Sequence, residues 1–213
     1  MAEVAAVLPR HGGRPRREES ERTEGRILDI ATGLFFRQGF AVTSMEQVAA
    51  AARISKRTLY MRFRDKAALF RGVVDRQVSG WRGAFGAAAA APATLPDALH
   101  EAARGILQVA LEPAALALHR MVVAEAERFP ELAATLAGTS AAGVAWVAAL
   151  LATFPEGARL SPEDRLFAAE QFLLLVVSGP RRRALGLGRP LDEAGAALWA
   201  ERSVNLFLNG LRG

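Results

Sequence analysis

Apolar residues recur at intervals of three and four over most of this chain, which is the spacing of amphipathic helices. Ile27, Ala31 and Leu34, for example, share one face of a helix predicted over residues 21–38, and Gly39 is expected to end it. Capping residues and prolines divide the rest of the pattern. Further helices are therefore predicted over residues 44–51, 56–63, 66–86, 95–111, 114–129, 132–137, 140–154, 162–178 and 192–211.

The stretch of residues 43–70 has the spacing of a helix-turn-helix. Thr43 and Glu46 are predicted to form a capping box, in which the hydroxyl and the carboxylate satisfy free amides at the helix start. That helix would begin at Ser44. A turn of about three or four residues would follow, and Ser55 would cap a second short helix that crosses the first steeply.

The second short helix has one apolar face and one polar face. Leu59 and Phe63 lie one turn apart and are predicted to point inward, and Ile54 is predicted to fill the gap between the two helices. Asp65 is expected to cap the long helix that follows. The side chains left for solvent or a partner are Lys56, Arg57, Thr58, Tyr60 and Arg62.

Positive charge is concentrated in the first third of the chain. Residues 1–66 hold 13 Lys and Arg against 8 Asp and Glu, which gives 13 − 8 = +5, and residues 67–213 hold 14 of each. Six of these basic groups lie between Arg53 and Lys66, with Asp65 as the single acid there. Clustered cations of this kind are typical of a phosphate-binding surface, although a solvated charged helix face is the alternative.

Residues 51–70, AARISKRTLYMRFRDKAALF, resemble the DNA-reading segment of the TetR family of bacterial transcriptional repressors. In that family small residues precede Gly-Val-Ser, and Thr-Leu-Tyr, Phe, Lys and Leu follow at fixed spacing. The resemblance covers about residues 20–75 by motif. Arg53 stands where the family commonly has glycine, so it should adopt a left-handed conformation or the turn should differ. Arg57 occupies a variable position, and Met61 replaces a frequent aromatic residue.

The resemblance implies an all-α protein with an N-terminal three-helix DNA-binding head and a C-terminal helical bundle that binds a ligand and dimerises. We expect a disordered basic arm over residues 1–19, the head over residues 20–66 and the bundle over residues 67–213. The implied function is a cytoplasmic, sequence-specific regulator that binds double-stranded DNA as a homodimer on a palindromic operator. A small molecule of unknown identity would release it. The alternative is a helical adaptor that has no specific DNA binding.

By the same resemblance, two residues are assigned to base edges and several others to the DNA backbone. Lys56 and Arg57 would read bases, and Arg57 suits a bidentate contact to guanine. Hydroxyl groups and Lys66 would meet phosphates. The predicted DNA-binding residues are Thr43, Ser44, Ser55, Lys56, Arg57, Thr58, Tyr60 and Lys66. Arg14, Arg16 and Arg17 either enter a minor groove or form a solubilising tail.

Large apolar side chains in the predicted bundle could line a ligand pocket or could be ordinary core. Glu125 lies on the same helical stripe as Met121 and should point inward, where it would pair with an arginine or attract a cationic ligand. His119 is expected to be exposed. The candidate ligand-binding residues are Trp81, Phe85, Met121, Glu125, Phe129 and Trp146.

The last two helices carry more apolar surface than one core needs. The segment FLLLVV, residues 172–177, is apolar on every side of its helix. Two such helices from each of two chains could form a four-helix bundle, whereas a monomer that closes its own core is the alternative.

Several classes of function lack their signatures in this sequence. Zero cysteines exclude disulfides and thiolate zinc sites. No phosphate loop, nucleophile elbow, dinucleotide fingerprint or metalloprotease motif occurs, so no enzyme, cofactor or metal is predicted. The longest strongly apolar stretch is taken to be residues 172–177, too short to span a bilayer, and the N-terminus lacks a secretory signal.

Overall fold

The computed structural model describes the backbone of residues 14–86 and 92–211, and the side chains of residues 18–77 and 92–210. This part of the chain is helical and contains no strand, which confirms the all-α prediction. The helices are α1 Arg14–Val42, α2 Met45–Ala51, α3 Lys56–Arg62, α4 Lys66–Gly86, α5 Leu95–Ala110, α6 Pro113–Glu125, α7 Pro130–Ala152, α8 Pro155–Ala158, α9 Pro162–Ala184 and α10 Glu193–Leu211.

The chain divides between Leu69 and Phe70 into two compact units, which we call unit 1 and unit 2. Unit 1 contains α1, α2, α3 and the first turn of α4. Its core consists of buried apolar side chains, and Ile27, Ala31 and Leu59 among them lie at positions that the helical spacing predicted. They include Ile27, Ala31, Phe35, Phe40, Val48 and Leu59.

Helix α1 begins at Arg14, so the prediction of a disordered arm over residues 1–19 is wrong for residues 14–19. Residues 1–13 and the side chains of Arg14, Arg16 and Arg17 lie outside the described residues. At its other end α1 is broken at Gly39, which has φ 84° and ψ 165°. Only glycine adopts that conformation readily, so the predicted helix stop is confirmed.

The predicted capping box of α2 is wrong by one residue. Ser44 is the N-cap, its hydroxyl accepts from the amide of Gln47 at 3.1 Å, and the Gln47 amide oxygen accepts from the Ser44 amide at 2.8 Å. Thr43–Glu46 and Ser44–Gln47 both match the capping-box pattern, because Ser or Thr followed three residues later by Glu or Gln occurs in two adjacent registers.

The other two caps and the turn of the helix-turn-helix agree with the sequence. Ser55 caps α3, where its hydroxyl accepts from the Thr58 amide, and the Asp65 carboxylate accepts from the Ala68 amide at 2.7 Å at the start of α4. Arg53 has φ 53°, the left-handed conformation expected where the family commonly has glycine.

Unit 2 packs α5, α7, α9 and α10 around a common core. Phe172 is fully buried on α9, and its ring meets that of Phe207 from α10 at 5.1 Å in an edge-to-face arrangement. Leu99, Val147, Leu151 and Val204 complete the centre of this core.

Helix α7 is continuous, whereas two helices were predicted over residues 132–137 and 140–154. Thr139 or Ser140 was expected to cap the second helix, but both lie inside α7, and the Thr139 hydroxyl donates to the Thr135 carbonyl four residues earlier. By length and composition alone, α7 could cross a membrane, so taking residues 172–177 as the longest apolar stretch was wrong. The same test is passed by core helices of soluble proteins, and Val147 and Leu151 of α7 belong to the core of unit 2.

Helix α9 continues beyond Ser178, where it was predicted to end, through Pro180 to Ala184. Proline lacks an amide donor and disturbs the carbonyls of the preceding turn. In this turn the Leu175 carbonyl accepts from the Trp199 indole at 3.0 Å and from the Ser203 hydroxyl at 3.3 Å. Two side chains of α10 therefore bond to α9 in the turn that precedes Pro180.

Candidate nucleic-acid interface

Helix α3 presents a polar face to solvent because its apolar face is anchored in unit 1. Leu59 has no exposed surface and Phe63 is buried. Lys56, Arg57 and Tyr60 are exposed, as predicted from their spacing. The structure thus brings two cations and a phenol together on one accessible helix surface.

The start of α3 carries a pair of coupled hydroxyls. The Ser55 and Thr58 hydroxyl oxygens lie 2.8 Å apart, and the Ser55 oxygen also accepts from the Thr58 amide at 3.0 Å. Each hydroxyl has one proton to donate. Since only one of the two protons is used within the pair, the other is available to an acceptor outside the protein.

Lys56 is held near the N-terminal part of α2 by an ion pair. Its ammonium lies 3.4 Å from the Glu46 carboxylate, and the two side chains are 66% and 49% exposed. Backbone hydrogen bonding, and then the charge of Lys56, lower the pKa of Glu46 below its ordinary value of 4.5. An exposed pair of this kind is weak, so Lys56 can leave it for another anion.

The phosphate contact predicted for Thr43 is wrong. Its side chain is 1% exposed, and its hydroxyl donates to the Gly39 carbonyl at 2.8 Å while accepting from the Gln38 amide at 3.1 Å. The Thr43 hydroxyl is therefore used within unit 1, where it forms hydrogen bonds to the end of α1 around the interruption at Gly39. The next residue, Ser44, was also predicted to contact DNA; it is half-exposed and caps α2.

The phosphate contact predicted for Lys66 also conflicts with its geometry. The ammonium donates to the carbonyls of Phe40 at 2.8 Å, Ala41 at 3.2 Å and Thr43 at 2.9 Å. It also lies 4.4 Å from the centre of the Phe40 ring. An ammonium has three donors, and all three are directed at backbone oxygens where α1 ends.

Arg62 was also counted on the solvent side of α3, but it connects α3 to α1. Its guanidinium donates to the Ser20 hydroxyl at 3.0 Å and lies 3.7 Å from the Glu24 carboxylate, and its side chain is 23% exposed. Arg62 therefore belongs to the packing of unit 1.

The candidate ligand residues of unit 2 have mixed positions. The side chains of Trp81 and Phe85 lie outside the described residues. Met121 is buried, and Trp146 is 38% exposed. Phe129 is half-buried with the Arg128 guanidinium 5.5 Å from its ring centre.

Glu125 is half-buried at the last position of α6, which ends there although a helix was predicted to Phe129. The proline at position 130 disfavours helical geometry for Phe129, which has φ −134° and ψ 76°. Within the described ranges the Glu125 carboxylate has no ion pair, so the predicted pairing with an arginine is wrong.

The faces of α9 and α10 leave large apolar side chains in solvent. Phe167 is 64% exposed on α9 and Leu206 is 62% exposed on α10. Between the two helices lies an open apolar groove of about 420 Å³, whose lining includes Phe167, Leu175, Leu206 and Phe207. Apolar surface that is contiguous in this way is typical of an interaction site.

Among residues 18–77 and 92–210, no group of three or more His, Asp or Glu side chains could hold a metal ion.

Two sequence families match the two parts of the chain. Residues 27–73 match the family described as bacterial regulatory proteins, tetR family. Residues 97–210 match the family described as AefR-like transcriptional repressor, C-terminal domain. The first match contains α2 and α3, and the second contains most of α5 and all of α6 to α9.

Individual relatives agree with these matches. The HTH-type transcriptional regulator AcrR of Shigella flexneri is 39% identical over 57 residues, which are 27% of this chain and 26% of AcrR. The chain thus aligns with about a quarter of that relative.

Two solved structures match along nearly the whole chain. A TetR-family transcriptional regulator from Mesorhizobium loti has a TM-score of 0.74 and 26% identity, covering 90% of this chain and 97% of its own. The flavonoid-responsive regulator FrrA has a TM-score of 0.71 and 31% identity, covering 89% of this chain and 97% of its own.

Proposed function

Because the chain belongs to the TetR family of bacterial regulatory proteins, which are DNA-binding transcriptional regulators, we propose that it is a repressor that a small molecule releases from a palindromic operator. It would act in the cytoplasm as a homodimer. The alternative of a helical adaptor without specific DNA binding is not favoured by these relatives.

The outward face of α3 is the observation that carries the proposal. Lys56 and Arg57 are exposed on it, next to the buried anchor Leu59. A helix held in this way can enter a major groove, where arginine recognises guanine through two hydrogen bonds. We therefore assign base reading to Arg57 and Lys56, and phosphate contacts to Ser44, Ser55, Thr58 and Tyr60.

The assignment of Arg57 is tested by measuring operator and random DNA binding of Arg57→Ala by fluorescence anisotropy, after footprinting has located the operator. We expect operator affinity to fall about 10- to 100-fold, which corresponds to about 1–3 kcal/mol, and random DNA affinity to fall much less. Arg64→Ala is the matched control, since Arg64 is 87% exposed and bonded to Asp65 beyond the end of α3. Equal losses on both DNAs would contradict base reading by Arg57.

The exposed apolar faces of α9 and α10 support the homodimer. Burial of Phe167 and Leu206 across a two-fold axis would remove this surface from water. In sedimentation velocity, Phe167→Glu should convert dimer to monomer. Leu187→Glu is the control, because Leu187 is equally exposed at 65% but lies in the loop between α9 and α10. A dimer that persists in Phe167→Glu would contradict this interface.

Release by a small molecule requires only that the molecule bind more tightly to the protein conformation that does not bind DNA than to the conformation that does. The similarity to FrrA, a regulator described as flavonoid-responsive, supports an organic effector for this chain as well. The effector would bind in unit 2. Candidate residues that remain there are Met121, Phe129 and Trp146, together with Trp81 and Phe85.

A further inference from the structure

One large apolar side chain lies among the polar residues on the outward face of α3. Met61 is 78% exposed, which is the largest exposed fraction of any bulky apolar side chain in the described ranges. A single exposed methionine is ordinary on a protein surface. What distinguishes Met61 is its place on the helix to which base reading has been assigned.

Helical geometry fixes the direction of the Met61 side chain. Met61 follows Leu59 by two residues, which is about 200° around an α-helix, and Leu59 has no exposed surface. Met61 therefore points almost directly away from the core of unit 1. It also follows Arg57 by four residues, so these two exposed side chains lie one turn apart on the same stripe of α3.

Contacts at both ends of α3 keep this stripe outward. At the start, the Ser55 hydroxyl accepts from the Thr58 amide at 3.0 Å. Near the end, the Arg62 guanidinium donates to the Ser20 hydroxyl of α1 at 3.0 Å, and Phe63 directly after the helix is buried. A rotation of α3 that hid its outward face would break these contacts.

Methionine matches only some of the groups that DNA presents. Its side chain has no N–H or O–H group, so it cannot donate a hydrogen bond to a phosphate. Besides polar base edges, the major groove offers one apolar group, the C5-methyl of thymine. The flexible thioether side chain adapts well to an apolar contact of this kind. A thymine methyl is therefore the feature of a base that Met61 fits.

We propose that Met61 is a specificity-determining residue that recognises a thymine through its C5-methyl group. This inference rests on the proposed function of α3 as the base-reading helix. Four residues span about 6 Å along α3, which is about two base-pair steps of DNA. Each operator half-site should therefore contain a thymine, on either strand, about two base pairs from the guanine that Arg57 binds.

Replacement of thymine by uracil tests this contact, because it removes the methyl group and keeps the hydrogen-bonding edge of the base. Once footprinting has located the operator, the thymines of one half-site are replaced by deoxyuridine one at a time, and binding is measured by fluorescence anisotropy. For the wild type, uracil at one position should weaken binding about fourfold, as expected for the loss of one methyl contact. Met61→Ala should bind the thymine and uracil operators equally at that position.

Three further variants separate the apolar contact from other effects of substitution. Met61→Leu keeps an apolar side chain of similar size and should keep the preference for thymine. Met61→Gln keeps the length but adds a polar group, so it should lose the preference. Arg64→Ala changes an exposed residue beyond the end of α3 and should keep it. Because Met61 is exposed, its variants should unfold at the wild-type temperature, which circular dichroism checks.

The ratio of the affinities for thymine and uracil operators decides the outcome. The proposal is overturned if the wild type shows no preference at any thymine of the half-site. It is also overturned if Met61→Ala keeps the same preference, since uracil would then act through DNA shape or another residue.

The same measurements separate this inference from the proposed function. A wild-type protein that prefers its operator to random DNA but is insensitive to the methyl groups would keep the proposed function and refute the thymine contact. A wild-type protein that prefers no DNA sequence would refute the proposed function itself, and the thymine contact with it.

Discussion

Replacing Lys66 by methionine should destabilise unit 1 rather than remove a DNA contact. Methionine keeps the length and the apolar stem of the side chain but removes the ammonium that meets three carbonyls at 2.8–3.2 Å. A hydrogen bond to a charged group contributes about 1.5–3 kcal/mol net. The sum of the three hydrogen bonds is reduced because they share one ammonium, because ordering the lysine side chain costs about 2 kcal/mol of rotamer entropy, and because water can reach this half-buried site. We therefore expect Lys66→Met to lower the free energy of unfolding of unit 1 by about 2–4 kcal/mol.

Amide hydrogen exchange measures this loss of stability separately for the amides of unit 1 and of unit 2. In Lys66→Met, amides of α2 and α3 should exchange about 30- to 800-fold faster, which is the same 2–4 kcal/mol expressed as an opening equilibrium. Unit 2 should exchange as in the wild type if the two units open independently. The chain offers a matched control, because Lys56 is its only other lysine and is exposed.

The two lysine variants should behave in opposite ways. Lys56→Met should keep wild-type exchange within about fivefold and lose operator affinity, since surface ion pairs contribute less than about 1 kcal/mol. Lys66→Met should instead lower the stability of unit 1. If Lys66→Met exchanged like the wild type and bound all DNA sequences more weakly, the ammonium would be a phosphate ligand and the reasoning from its carbonyl contacts would be refuted.

Two further substitutions test the packing and the charges. Gly179→Ala would place a methyl group 2.4 Å from the Trp199 ring, so we expect a loss of about 1–3 kcal/mol in urea unfolding. Gly138→Ala, in open space on α7, should instead stabilise by up to about 1 kcal/mol, and equal effects would contradict the packing argument. Glu46→Gln should strengthen binding to random DNA severalfold in anisotropy titrations at low salt. The pKa of Glu46 is lowered, so its stabilising pair with Lys56 is fully present above pH 4.5 and lost as the pH falls through the lowered pKa. Unchanged random binding of Glu46→Gln between pH 6 and pH 8 would refute its role as a repelling charge.

Local physical rules predicted those features of the fold that depend on neighbouring residues. The caps at Ser55 and Asp65 followed from side chains that reach amides three residues ahead. The left-handed conformation of Arg53 was one of two alternatives that the resemblance to the family implied, since glycine is common at this position. The buried positions of α3 followed from helical spacing alone. These contacts all join residues within one or two helical turns of each other, so they can be predicted from the local sequence.

Features with two local solutions were predicted less well. The hydroxyl of Thr139 can cap a new helix or bond back to Thr135 within a continuous one, and the composition of α7 allows both. The register of the capping box before α2 had the same ambiguity, and packing of Thr43 into unit 1 decides it. Tertiary contacts select between solutions that the local sequence leaves equal.

Contacts between distant residues could not be predicted from spacing. The carbonyls that accept from Lys66 lie 23 to 26 residues earlier in the chain, and the ion pair of Arg62 joins α3 to α1. The half-buried position of Arg181 depends likewise on the continuation of α9 through Pro180, whereas the sequence predicted this helix to end at Ser178. Positions of this kind therefore became visible only in the folded chain.

The same contacts change what the charge pattern implies about DNA binding. Six basic groups lie between residues 53 and 66, but Lys66 and Arg62 are committed to unit 1, and Arg64 is bonded to Asp65. The counted charge thus overestimates the charge available to phosphates. Arg53, Lys56 and Arg57 remain as surface cations, of which Lys56 and Arg57 are assigned to bases and Arg53 lies in the turn. Within residues 44–66 we therefore expect phosphate contacts to come largely from uncharged donors, which the helix starts at Ser44 and Ser55 provide as hydroxyls and free amides.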